Sequence, residues 1–258
     1  MTEFPNALWL DANPSFTRFH VPLVQYLAKS MRIATWSYYQ EQDEASSLEI
    51  ALTLLHDYLK NSDRPIHLIG HATGGLIGLL YARKYPERVK SLTLLGVGVN
   101  PAVDWQSHYY ALQELLPCSR ETLLAQMTWN IFGHQDSQTT TRLGALLELD
   151  LASSPSPHSL YKRVGIPQGG IESPLLICGS TDDTIVDRNA LQKWQALMKP
   201  SDRLWECDGG RHFFHYFHSA LVGRRISNFW QSQVSNSLQL TAQPVQLQWE
   251  GVVNTQSA

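Results

Sequence analysis

Gly70-His71-Ala72-Thr73-Gly74-Gly75 joins an apolar run of strand character, Pro65 to Ile69, to a stretch rich in small and apolar residues, Leu76 to Tyr85, that reads as a helix. A strand that passes into a helix within so few residues brings two backbones close together. Glycine supplies both the room and the unusual dihedrals that such a turn needs. The same strand-then-helix unit recurs along the chain. Further apolar runs lie at Ala7 to Leu10, Ile33 to Tyr38, Val89 to Val97, Pro174 to Cys178 and Leu204 to Cys207. Helical patterns fall between and after them at Val21 to Lys29, Ser46 to Lys60, Asn189 to Met198 and Tyr216 to Gln231. This alternation predicts an α/β fold with a mostly parallel central sheet flanked by helices.

One stretch breaks the rhythm. From Pro101 to Gly170 there are no strand-like runs, only helical patterns around Trp105 to Leu116 and Ser119 to Phe132, with loops at Ser153 to Pro157 and Pro167 to Gly170. The expected organisation is therefore a core formed by residues 1–100 and 172–231, a helical cap inserted at 101–171, and a polar tail at 232–258 that is loosely held, with a short strand near Leu247 to Trp249. A chain of 258 residues with net charge -3 and no cluster of lysines or arginines carries no electrostatic footprint for nucleic acid or an anionic membrane. No apolar stretch is long enough to span a bilayer, and Met1-Thr2-Glu3-Phe4-Pro5 lacks the pattern of a secretory signal. Three widely spaced cysteines, Cys118, Cys178 and Cys207, argue against a disulfide framework, and the chain is expected to be cytoplasmic.

Two later strands run into chemistry-bearing residues. Leu175-Leu176-Ile177-Cys178-Gly179-Ser180-Thr181-Asp182-Asp183 ends in carboxylates, and Leu204 to Phe214 passes through Gly209-Gly210 to His212. Strand, elbow and helix, then strand and acid, then strand and histidine, follow the order of a Ser-acid-His hydrolase. On these residues the chain resembles the α/β-hydrolase superfamily, over roughly Phe4 to Asn100 and Glu172 to Trp230. The resemblance places Ala72 at the nucleophile position, Asp182 at the acid position with Asp183 as the alternative, and His212 as the base. Counting glycine-x-x-acid from Gly179 selects Asp182. The resemblance also places backbone donors of an oxyanion hole at Asn13 and Thr73, although the usual His-Gly is replaced by Asp11-Ala12-Asn13.

Alanine has no group that attacks a carbonyl, and three readings of it stay open at the level of sequence. The chain is a hydrolase by descent, esterase-like or amide-cleaving, that binds a small apolar molecule, an ester-like ligand or a protein partner without turnover. Alternatively, an Asp-His pair works as a general base in lyase or proton-abstraction chemistry. In the third reading, a serine at this position was exchanged for alanine, which silences a nucleophile while leaving its pocket. His71 and the aromatic residues Trp105, Tyr109 and Trp129 are candidates to line a substrate pocket, with Tyr110 and Phe132 beside them; the alternative is that the aromatics form the core of the cap. His212, His215 and His218 recur every third residue, but that spacing does not converge on one helix face, so no metal site is expected from them. No organic cofactor is implied, since neither a dinucleotide fingerprint nor a phosphate-binding loop with lysine is present.

Overall fold

The computed structural model describes residues 4–40, 47–158 and 164–241. Six strands, β1 (Ala7–Asp11), β2 (Ile33–Ser37), β3 (Ile66–His71), β4 (Val89–Leu95), β5 (Leu175–Ser180) and β6 (Arg203–Cys207), form one sheet in the order β2-β1-β3-β4-β5-β6. Every neighbouring pair is parallel, with register running from Ala7 opposite Ile33 at one side to Ser180 opposite Cys207 at the other. β3, which carries the glycine turn, is interior and buried along its whole length.

Alternation along the strands divides the core into two layers. Leu8 and Leu10 face the side covered by α2 (Leu48–Leu59), α3 (Ala72–Lys84) and α7 (Arg188–Gln192). Ala7 and Trp9 face the side covered by α1 (Thr17–Ala28), α8 (Phe214–Phe217) and α9 (Ser219–Thr241). Both faces are covered, which explains why the strands read as continuous apolar runs in place of alternating ones.

Between β4 and β5 the described residues form three helices, α4 (Trp105–Leu115), α5 (Arg120–Phe132) and α6 (Ser137–Ser153). Sequence patterning anticipates the first two only. α6 opens on Ser137-Gln138-Thr139-Thr140-Thr141, residues of indifferent helix propensity, and is started by Asp136, whose carboxylate accepts the Thr139 N–H at 2.9 Å. The expected tail also needs correction, because α9 runs to Thr241 with no glycine or proline between Gly223 and that residue to stop it. The strand expected near Leu247 to Trp249 lies outside the described residues. No helix among the described residues is long and apolar enough to cross a membrane.

Candidate active site

The turn after β3 is as sharp as its glycines predict. Ala72 holds φ +44, a left-handed conformation that costs a non-glycine residue roughly 1–3 kcal/mol, and it opens α3 directly. A Cβ on Gly74 would sit 2.1 Å from the Leu10 carbonyl oxygen, and one on Gly70 would sit 2.4 Å from the Gly74 carbonyl carbon. These two glycines are thus fixed by the closeness of β1, β3 and α3. Thr73, buried in the first turn of α3, has a backbone N–H with no acceptor inside the helix.

Two more loops meet this turn. After β5, the Asp183 N–H closes a turn onto the Ser180 carbonyl, and the Asp183 side chain returns to the interior, where it is fully buried. One carboxylate oxygen accepts the N–H groups of Ile185 (2.8 Å) and Val186 (3.2 Å), and the other accepts Nδ1–H of His212 at 2.9 Å. Because a carboxylate only accepts here, Nδ1 carries a proton, and in the neutral ring Nε2 keeps its lone pair. That Nε2 is buried and has no hydrogen-bond partner among the described residues.

After β6, Gly209 (φ +83), Gly210 (φ +101) and Arg211 (φ +53) turn the chain so that His212 enters the interior. The His212 N–H donates to the Ile131 carbonyl of α5 at 3.2 Å. Gly96, just past β4 at φ +62, makes room for the pair: a Cβ there would lie 3.1 Å from the His212 ring and 3.3 Å from His71 Nε2.

The carboxylate on His212 is therefore that of Asp183, whereas the glycine count favours Asp182. Asp182 points outward and pins the neighbouring loop. It accepts the Arg211 N–H at 2.8 Å and the Ser180 hydroxyl at 2.7 Å, and its second oxygen lies 3.5 Å from Arg211 Nε.

Comparisons with known proteins bear on the fold. A family model described as alpha/beta hydrolase fold matches residues 58–126, which span β3, the turn and α3. The crystal structure of naproxen esterase from Bacillus subtilis overlays with a TM-score of 0.66 at 18% identity, covering 89% of this chain and 85% of that one. The chain belongs to the α/β-hydrolase superfamily. An uncharacterised protein of Nostoc sp. is 46% identical over 90% of this chain and 92% of its own. One from Synechocystis sp. is 43% identical over 91% and 95%.

Within the α/β-hydrolase frame, the remaining expected residues divide. His71, which precedes the elbow, is buried and donates Nε2–H to the His212 carbonyl at 2.9 Å, so it braces the loop that carries His212. Asn13 commits its side-chain amide to Asp150 at 3.0 Å, while its backbone N–H points to an Asp11 carboxylate oxygen at 3.4 Å. Trp105 and Tyr109 are buried, and the Trp105 indole N–H donates to Asp150 at 2.9 Å. Trp129 is 47% exposed, with the Arg211 guanidinium 5.1 Å from its ring centre, so it faces solvent and not a buried pocket. Phe132 stacks on Phe213 with centroids 4.8 Å apart, joining α5 to the histidine loop. Cys178 and Cys207 are buried, and burial raises both thiols, Cys207 to about 11, which leaves neither a nucleophile. Sequence reasoning missed Gly96 and Asp150. Gly96 is signalled only by its place just after a strand, and Asp150 has the sequence setting of an ordinary helix-surface charge.

Proposed function

We propose that this chain is an acyl-hydrolase-type protein with its acid and base in place and its nucleophile missing, which holds small apolar, ester- or amide-like molecules above Ala72 with little turnover. One observation carries this reading: Nε2 of His212 is buried with no hydrogen-bond partner among the described residues, while Ala72 keeps the left-handed elbow conformation that presents a nucleophile in serine hydrolases of this fold. A hydroxyl on the Ala72 Cβ supplies what the site lacks. The overlay on an esterase supports a ligand of ester-like chemistry. The Thr73 N–H is the first oxyanion donor. Asn13 is the second once its N–H leaves the long bond to Asp11.

The direct test is hydrolysis of short and medium acyl esters by the wild type, Ala72→Ser and Ala72→Ser with His212→Ala. The serine variant is expected to gain turnover by several orders of magnitude. The ceiling is on the order of 10⁶-fold, the loss seen when a triad serine is removed. The added His212→Ala should abolish the gain. A folded Ala72→Ser protein that is inert on every ester would overturn the reading.

The lone pair on His212 Nε2 also favours a second reading, in which the Asp183–His212 pair is itself the catalyst and takes a proton from water or substrate, worth about 10² to 10⁴-fold. Wild-type turnover that disappears in His212→Ala would select it.

A further inference from the structure

Behind the elbow lies a second group of histidines that the acid–base pair does not use. His20 of α1, His71 at the end of β3 and His215 of α8 come from distant parts of the chain, and one ring nitrogen of each falls within 4.8 Å of the others. All three are buried. His20 Nδ1 and His215 Nε2 are 3.1 Å apart, close to the roughly 3.3 Å that separates two imidazole nitrogens on a tetrahedral ion with 2.0–2.1 Å bonds.

One of the three outer nitrogens is held as it is around bound metals. Metal-binding histidines characteristically donate the other ring N–H to a carbonyl or carboxylate, which fixes tautomer and ring orientation. His71 does so through Nε2 to the His212 carbonyl at 2.9 Å, which leaves Nδ1 as a lone pair. Nε2 of His20 lies 3.8 Å from an Asp11 carboxylate oxygen, too far for a hydrogen bond, and its Nδ1 faces His215. His20 Nδ1 and His215 Nε2 face each other as a hydrogen-bonded pair that a bound ion would replace, while His215 Nδ1 is buried with no hydrogen-bond partner among the described residues. Trp9 and Phe213 pack against the rings of His20 and His215 and hold them.

We infer that His20, His71 and His215 form a binding site for a divalent ion of borderline softness, Zn²⁺ foremost. The ion would tie α1, the elbow strand and the histidine loop together beneath the site already described. It holds structure and takes no part in acyl chemistry.

The experiment is a titration of the full chain, stripped with chelator, with Zn²⁺ and with Co²⁺ as a spectroscopic probe. One equivalent of Zn²⁺ should bind and raise the thermal midpoint, and bound Co²⁺ should show the intense visible bands of a low-coordinate, nitrogen-ligated ion. His20→Gln and His215→Gln should each lose the site. His67→Gln, which alters a buried histidine bonded to Ser91 outside the cluster, should keep it. The inference is overturned if the full chain binds neither ion stoichiometrically, if Co²⁺ gives only the weak spectrum of a hydrated surface ion, or if binding survives in both cluster variants. Should those variants fail to fold, the wild-type stoichiometry and Co²⁺ spectrum decide.

Discussion

At the scale of single residues, the two adjacent carboxylates after β5 have opposite tasks, and a one-residue offset in a turn separates them. With the Asp183 N–H closing onto the Ser180 carbonyl, Thr181 and Asp182 occupy the outer corner of the turn and Asp183 re-enters the protein. In the Ala72→Ser background, Asp183→Asn should therefore lower ester turnover by about 10⁴-fold, the cost of losing the tautomer-fixing carboxylate in a triad. Asp182→Asn should change it by less than about tenfold, because it removes a charge on Arg211 and leaves the His212 partner in place. Side-by-side turnover measurements check both, and equal losses would refute the assignment. Glycine spacing in the sequence leads to this loop but not to the right carboxylate. The deciding fact is the side on which a turn places its fourth residue.

At the scale of elements, one buried carboxylate gathers several of the bonds between the insertion and the core. Asp150 of α6 is fully buried and accepts from the Asn13 amide, the Trp105 indole at 2.9 Å and the Ser15 hydroxyl at 2.9 Å, with the Ser154 hydroxyl as a further donor. It thereby joins α6 and α4 to the loop that follows β1. Asp150→Ala leaves those buried donors without an acceptor and should cost at least about 3 kcal/mol in denaturant unfolding, well above the cost of an exposed-aspartate control such as Asp136→Ala, about 1 kcal/mol for a helix cap. The sequence shows the strands, most helices and the elbow, because hydrophobic periodicity and glycine placement are local. It conceals α6, whose threonine-rich opening resembles a loop, and Asp150, whose partners lie more than 40 residues away in sequence except for Ser154. The cluster of His20, His71 and His215 is hidden for the same reason, whereas the regular spacing of His212, His215 and His218 is a coincidence of one short segment.

For the whole molecule, buried neutral histidines set the response to acid. His67 is held near a pKa of 3, chiefly by burial and secondarily by the charge of Lys90. His20 is near 3 from burial alone, and His71 and His215 are also lowered, first by burial. Below the ordinary value near 6.5 the unfolded chain takes up protons that the folded chain refuses, so this contribution to stability falls as pH falls. The buried carboxyls of Asp11, Asp104 and Asp150 are raised and oppose the trend at lower pH, so a difference measurement isolates the histidine effect. The stability of wild type relative to His67→Gln should decline by about 1.4 kcal/mol per pH unit below roughly pH 6, read from denaturant midpoints between pH 7.5 and 4.5; a difference independent of pH would show that His67 is not held neutral. The strand order has a consequence of another kind. β1 to β4 pair among themselves, but the outer edge of β4 is completed only by β5, and roughly eighty residues intervene. At 5–20 residues per second of synthesis, the nascent half-sheet waits on the order of 4–16 s with that apolar edge uncovered. The same insertion that places α5 beside the histidine loop and α6 beside the loop after β1 thus sets the interval during which the growing chain is open to association with its neighbours.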